Sequence, residues 1–451
     1  MVCNDLRAFG LVAVAYLLLG FAIRFCYPFV DTTADSGTYI IVSETLQIGV
    51  YRPIGYSAFL RVLKDFNPQG VESLIYWVQY LIHGACAISL MLVIRHLLGR
   101  LSGVAWVVLL GLVVLNPAAL YLTNCVMSDS LFNSLFMVYM ASALWILPRR
   151  SPGAVALHLA TLIALLFLRY SALVFPVLSC LLMLVSLRSP SRRILASIVP
   201  FVIFGVFYFF ISSETEKNGG FRRFSAFGGW QLSNNALHVV PHVDLDDAVP
   251  EAKEPRFIHE VVRASYAENA DLYPKPGEAS YIFLWDERSP LRIATGTIAE
   301  RTGFSHLTAW SYMGRYLGEY GFFLIRRHPV EFARYYVLPS TKQFFLPELE
   351  TTGGYNREQP SAEVTQWLGS GEARRQPRFD VMAKVSPFLP FLHLLVLALG
   401  VAVLGVNRYR RRACQALGKG CVDWLAVAVL VYSVFQIIGS QPLLRCVILV
   451  H

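Results

Sequence analysis

The chain has 451 residues, of which 55% are hydrophobic and only 15% charged, with a mean hydropathy of +0.50. That balance is too apolar for a water-facing globule, so lipid must form part of its solvent. The formal net charge of +9 does not mark a nucleic-acid binder, because the arginines gather at the ends of apolar stretches and not along a hydrophilic face. The eight cysteines include no CxxC and none lies between 213 and 380, which leaves neither a disulfide framework nor a zinc ribbon to read.

A bilayer core about 30 Å thick is crossed by roughly 20 apolar residues in a helix. The first such stretch, Ala8 to Phe25, follows Arg7 and has no small residues suited to cleavage behind it, so it is expected to stay as an anchor. Arg24 and Phe25 stand where a lipoprotein would need small residues before Cys26. Further stretches lie at about 74 to 94, 103 to 123, 130 to 147, 153 to 168, 171 to 187, 194 to 212, 386 to 406 and 422 to 439, and a tenth opens near Pro442. The expected fold is an all-α polytopic membrane protein of about nine to ten transmembrane helices. Residues 1–212 would form its core, 213–385 an outer soluble segment, mixed α/β or mostly helical, and 386–451 the C-terminal helices.

Orientation follows from the basic loops. Arg95 and Arg100 follow the second span, Arg149 and Arg150 the fourth, Arg188, Arg192 and Arg193 the sixth, and Arg408, Arg410, Arg411, Arg412 and Lys419 the eighth. Every second loop is basic, which places these loops and the N-terminus inside the cell, with the bacterial cytoplasmic membrane as the expected location. The outer side then receives residues 26–71, the turn from Asn124 to Asp129, the turn at Arg169, the segment 213–385 and the chain beyond 440.

The first outer loop reads Asp31-Thr-Thr-Ala-Asp35-Ser-Gly-Thr-Tyr39, then a short helix to about Ile48, then Tyr51-Arg52-Pro53-Ile54-Gly55-Tyr56. This sets a carboxylate and a cation beside the lipid surface. The carboxylate can take a proton from an attacking hydroxyl, and the arginine can hold a departing phosphate by charge-assisted hydrogen bonds. Two plainer roles fit the same residues: Asp35 as the N-cap of a helix beginning near Ser36, and Arg52 as a side chain snorkelling to the headgroups. Asp129, in Met127-Ser128-Asp129 at the start of the fourth span, is open to the same capping role. Leu168-Arg169-Tyr170 splits an apolar region. An arginine at mid-helix would cost about 2.5–3.5 kcal/mol, so a turn is expected there.

In the long outer segment, the paired glycines at 219–220 and 228–229 and the tryptophans 230, 285 and 310 suit the binding of an acceptor, aromatic faces being natural partners for sugar C–H surfaces. Phe322 to Phe345 alternates apolar residues with Arg326, Arg327, Arg334 and Lys342, which fits either a helix in the membrane interface or one packed on the domain surface. His238 and His242, with Asp244 and Asp246, have a metal-like spacing, but Pro241 breaks the helix that would make it useful. No Gly-rich nucleotide loop is present.

The order Asp35-x-x-x-Tyr39, Arg52-Pro53-x-Gly55-Tyr56, Met127-Ser128-Asp129, Leu168-Arg169-Tyr170 and a late Arg445 resembles the GT-C superfamily of membrane glycosyltransferases. Within it, the likeness is to the branch holding the protein O-mannosyltransferases and the lipid A aminoarabinose transferase. It covers roughly residues 8–212 and is weaker after 386. The resemblance implies a sugar donor carried on polyprenyl phosphate, a lipid, glycan or protein acceptor, surrounding membrane lipids, no nucleic acid and an inverting transfer. By the same resemblance Asp35 is the general base, Asp129 a second acid of the catalytic site, Arg52, Arg169 and Arg445 ligands of the donor phosphate, and Tyr39 and Tyr56 substrate contacts. No metal ligands are assigned, and a divalent metal is left open. The chain departs from the mannosyltransferases in having Ser36 after Asp35 where they carry two adjacent acids, and from the aminoarabinose transferases in having Arg52-Pro53-Ile54 for Lys-Pro-Pro. A polysaccharide polymerase would share the layout. A non-enzymatic transporter of lipid-linked glycans would carry polar residues along its spans, whereas here polarity gathers at their outer ends.

Overall fold

The computed structural model describes residues 2–33, 35–47, 52–98, 106, 110–111, 113–186, 189–274, 280–345, 355–356, 360–369, 375–391 and 394–395. Arg445, the basic cluster from Arg408 to Lys419 and the apolar stretches beginning at 422 and near 442 lie outside these residues. Among the described residues every regular element is helical, and the only β pairing is an isolated bridge between Asp31 and Cys125.

The principal helices are α1 (Val2–Cys26), α2 (Ser36–Thr45), α3 (Gly55–Phe66), α4 (Val71–Leu98), α5 (Pro117–Leu122), α6 (Ser128–Arg149), α7 (Pro152–Leu168), α8 (Phe175–Ser186) and α9 (Pro190–Gly219). The long segment adds α10 (Phe227–Ala236), α11 (Lys253–Glu268), α12 (Pro290–Thr302), α13 (His306–Arg327), α14 (Leu338–Phe345) and α15 (Ala362–Leu368). Three of these stretches, Val71–Leu97, Ser128–Arg149 and Arg193–Gly219, are long and apolar enough to cross a membrane, while Gly10–Cys26, Pro152–Leu168 and Tyr170–Ser186 are apolar but shorter. Over the described residues the chain is thus all-α, with helices suited to a membrane. One side of α9 leaves Leu195, Phe201, Val206 and Phe209 uncovered by protein, as a lipid-facing flank would be.

Prolines set several helix starts. Pro117, Pro152 and Pro190 open α5, α7 and α9, where a missing N–H costs nothing. The Asn116-Pro117 pair also corrects the expectation of one helix over 103–123. Asn116 has left the helical conformation, as residues before proline do, and its side chain accepts from the N–H groups of Ala118 and Ala119 to start a new helix.

α1 and α4 interlock through reciprocal tyrosines. The Tyr16 hydroxyl donates to the Tyr80 carbonyl at 2.8 Å and the two rings stack at 4.3 Å. Gly84 makes room for this: a Cβ there would lie 2.5 Å from the Tyr16 ring. α4, α6, α7, α8 and α9 then share one apolar core.

The long segment has its own core and is helical, which removes the mixed α/β alternative for the described residues. α10 and α13 cross where glycines face each other, and a Cβ on Gly229 would stand 1.6 Å from the Gly314 carbonyl oxygen. Directly beside this crossing the Trp230 and Trp310 rings stack at 5.1 Å in the interior. The assignment of the 228–229 glycine pair and these tryptophans to acceptor binding is therefore corrected: Gly229, Trp230 and Trp310 are packing residues, and Trp285 alone of the three tryptophans is exposed.

Replacing Gly229 by alanine forces backbone apart and is expected to destabilise the segment by about 1–3 kcal/mol or more, the usual cost of overpacking. Gly228→Ala, whose Cβ meets nothing within 4 Å, is the control and is expected to be neutral or stabilising by up to about 1 kcal/mol. Thermal unfolding followed by the fluorescence of the Trp230–Trp310 pair measures both.

Candidate active site

The first loop and the start of α6 are stitched together by backbone. Asp31 N–H donates to the Asn124 carbonyl at 2.7 Å, and Val126 N–H donates back to the Asp31 carbonyl at 2.9 Å. Asn124 Nδ2 donates to Phe29 O at 3.1 Å, and Ser36 Oγ to Val126 O at 2.9 Å. These bonds bring Asp35 and Asp129 to the same end of the helix bundle.

Asp35 occupies the N-cap position of α2, yet its side chain makes no capping bond. Its carboxylate instead forms an ion pair with Arg52. Arg52 reaches it from the turn before α3 and lies over the Tyr39 ring, 4.8 Å from the centroid. Burial opposes the charge on Arg52, but Tyr39 and Asp35 outweigh it and hold the guanidinium above the ordinary arginine pKa. The snorkelling alternative for Arg52 is likewise not what the side chain does, because it turns inward to a specific partner.

Beneath this pair lies a second. Arg169 stands extended between α7 and the 3-10 turn Tyr170–Val174, in the expected break, and forms an ion pair with Asp129. The two pairs differ in exposure: the side chains of Asp35 and Arg52 are 32% and 27% exposed, those of Asp129 and Arg169 1% and 21%. Asp129 is not the N-cap residue of α6, which is Met127, and its carboxylate bonds its own N–H in the first turn as well as Arg169.

Ser128 joins the layers. Its hydroxyl shares a 2.7 Å hydrogen bond with the Tyr39 hydroxyl and accepts from Arg169 Nη1 at 3.4 Å. Tyr39 in turn meets Tyr56 edge to face at 4.9 Å. Tyr56 is fully buried, and its hydroxyl donates to Gln79 Oε1 at 3.0 Å, while Gln79 Nε2 donates to the Thr123 and Cys125 carbonyls at 2.9 and 3.1 Å. The expected substrate contact at Tyr56 is therefore corrected to a supporting role behind Tyr39, because its hydroxyl and ring are both enclosed by protein. Tyr39 is itself buried and presents its ring to Arg52.

Gly55 explains how these motifs meet. A Cβ at this position would lie 2.5 Å from the Phe167 carbonyl, so only glycine lets the start of α3 touch the end of α7, two residues before Arg169.

A third cluster escaped sequence reading. The Asp31 carboxylate accepts from the Tyr121 hydroxyl at 2.6 Å and from Asn356 N–H at 2.8 Å. Burial pushes its pKa up, against the pull of those two bonds. Asn356 Oδ1 accepts from Thr32 N–H at 2.9 Å, and Arg375, fully enclosed, pairs with Glu72 at 2.6 Å. Glu72 also accepts from Val30 N–H at 2.9 Å. The chain around 355–380 thus clamps the first loop. Nothing in the spacing of residues more than 300 apart announces such contacts. Glu72, a charge at the head of an apolar helix, was the one readable sign.

Arg445, expected beside the donor phosphate, lies outside the described residues. Among those residues no three His, Cys, Asp or Glu side chains converge as metal ligands. His238 and His242 do not act together: His238 Nδ1 donates to the Asn234 carbonyl at 3.1 Å and its Nε2 accepts from Ser280 N–H at 2.9 Å, while His242 stacks on Tyr335. Burial lowers the His238 pKa to about 4, so it is a neutral structural residue. Compared with family models, curated proteins and solved structures, the chain matches none.

Removing Arg169 strands a buried carboxylate. Arg169→Met is expected to cost about 3–5 kcal/mol, and Arg169→Met combined with Asp129→Leu to recover much of that loss, since replacing both partners leaves no unpaired charge. A double-mutant cycle on thermal unfolding in detergent gives the coupling. Additive losses would show that the pair does not hold the site together.

Proposed function

We propose that this chain is an inverting glycosyltransferase that moves a sugar from polyprenyl phosphate to an acceptor hydroxyl or amine at the outer face of the bacterial cytoplasmic membrane. The single observation that carries the reading is the half-open Asp35–Arg52 pair standing over the enclosed Asp129–Arg169 pair at one end of the apolar bundle. The alternation of basic loops in the sequence supports the outward orientation and the nine-to-ten-span topology.

In this reading Asp35 takes the proton of the acceptor O–H or N–H as that atom bonds to the anomeric carbon. The carbon–oxygen bond to phosphate breaks from the opposite face, and polyprenyl phosphate leaves with an added negative charge. Arg52 meets that charge, a guanidinium carrying five N–H donors in a fork suited to phosphate oxygens. Arg169, locked to Asp129, supplies a fixed positive field from below and keeps Ser128 and Tyr39 in place.

The two partners of Arg52 compete. In the empty site Asp35 is held by Arg52, and a donor phosphate drawing Arg52 to itself releases the carboxylate to act as base. Water reaches this pair on its open side and screens it, so the exchange costs less than parting the enclosed Asp129–Arg169 pair would.

Asp35→Asn is therefore expected to lower transfer from a labelled polyprenyl-phosphate sugar by about 100-fold to 10,000-fold, the usual range for a general base. The same change is expected to tighten polyprenyl phosphate binding, by freeing Arg52 from its ion pair. Arg52→Gln should weaken binding. Transfer by purified protein in lipid, and direct binding of polyprenyl phosphate, decide the matter. Unchanged turnover in Asp35→Asn would remove Asp35 as base, and donor binding without turnover in the wild-type chain would favour a carrier.

A further inference from the structure

The helix that follows Pro329 has a face that the site does not use. The backbone turns continuously through Pro329–Phe332, a π-helical stretch Ala333–Val337 and α14. Phe332, Tyr336, Pro339 and Ser340 are buried on one side of it. On the other, Val330 and Leu338 are 70% and 65% exposed, Phe345 is exposed at the end, and Arg334 and Lys342 stand exposed between them. The order Val330, Arg334, Leu338, Lys342, Phe345 repeats about once per turn, so apolar and basic side chains share one stripe.

Among the described residues no carboxylate pairs with Arg334 or Lys342, Arg334 lying over the Tyr335 ring, and Arg326 and Arg327, at the end of α13, add exposed positive charge just before the stripe. Large apolar groups held in water beside cations with no carboxylate partner match neither a protein core nor an ordinary solvated face. They match the boundary between headgroups and acyl chains.

Connectivity brings the stripe within reach of such a boundary. Ten residues after Phe345, the Tyr355 hydroxyl accepts from Phe29 N–H at 2.6 Å, on the loop that leaves the apolar helix α1. Ten residues span at most about 35 Å. At the other end, α9, long and apolar enough to cross a membrane, runs straight into the segment at Gly219.

We propose that the Val330–Phe345 stripe docks on the anionic lipid surface of the bilayer in which the chain is held, with Leu338 and Phe345 in the acyl boundary and Arg334 and Lys342 against lipid phosphates. The choice of lipid over a protein partner rests on the charge, which complements an anionic surface, and on the tethers, which keep a bilayer always at hand. The inference stands independently of any sugar transfer.

The test uses the full chain in nanodiscs, with a nitroxide at Leu338→Cys and the background from native cysteines subtracted. In bilayers containing phosphatidylglycerol the label should be accessible to oxygen and protected from a water-soluble nickel chelate by about fivefold or more. The protection should fall in phosphatidylcholine alone, in 1 M salt, and in Arg334→Glu combined with Lys342→Glu. Both substituted side chains are exposed, and an unchanged melting temperature confirms that the segment still folds. A label equally open to nickel in both lipids would overturn the proposal. So would a label shielded from both probes in every lipid, which would place a protein partner on the stripe.

Discussion

The site depends on two backbone hydrogen bonds, those that pair Asp31 with the strand-like stretch ahead of α6. A loop leaving the first helix has no intrinsic reason to stop against residues more than 90 positions later. Pairing the Asp31 N–H and carbonyl with Asn124 and Val126 satisfies groups that would otherwise be buried without partners, and it fixes the register of everything downstream. With Asp31 set, Ser36 reaches Val126 and Tyr39 reaches Ser128, at intervals of 90 and 89 residues. Asp35, one residue before Ser36, then lies beside Arg52 and pairs with it. The bridge converts two unrelated short motifs into one constellation.

The two ion pairs divide the work by their exposure. Enclosing Asp129 and Arg169 removes both from most of their water, a cost that only close pairing and extra hydrogen bonds offset. Such a pair gives little net stability but is strongly destabilising when broken, so it serves as a fixed, polarised base for the layer above. Asp35 and Arg52 are the more exposed pair, about a third open to water, where screening makes an exchange of partner less costly than for the pair beneath.

Much of this was legible in the sequence, for identifiable reasons. Apolar stretches of helical length, the break at Arg169 and the partners Asp35, Arg52 and Asp129 follow from composition and local spacing. The choice between a capping and a reactive Asp35 does not, because both readings place the residue at the same backbone position. Side-chain direction removes only the cap, since the Asp35 carboxylate turns to Arg52 and bonds no backbone N–H of α2. Tyr56 looked like a substrate contact for the same reason: the motif records that a tyrosine is needed, and not which way its ring faces. Gly229 with Trp230 and Trp310 resembled a sugar platform in sequence, yet the demand they answer is the close crossing of α10 and α13. Asn356 and Arg375 carry no local signal whatever, since their partners lie over 300 residues away.

Those distant contacts tie residues that follow α14 to the first loop. Asp31 is held by Asn356, whose backbone adopts a positive φ of 51° that asparagine tolerates better than most residues. Glu72, at the head of α4, is shared between Val30 N–H and Arg375. Tyr355 packs with Tyr27 and Tyr121, and Val364, Trp367 and Leu368 join the apolar core of the helix bundle, so these residues belong with the bundle and not with the core built by α10 to α13. Asn356 and Arg375 therefore hold the first loop from the bundle's own side: Asn356 fixes the Asp31 carboxylate, and Arg375, through Glu72, backs the Val30 N–H. A loop pinned at both Val30 and Asp31 leaves Asp35 only four residues of slack, which is what keeps its carboxylate in register with Asp129.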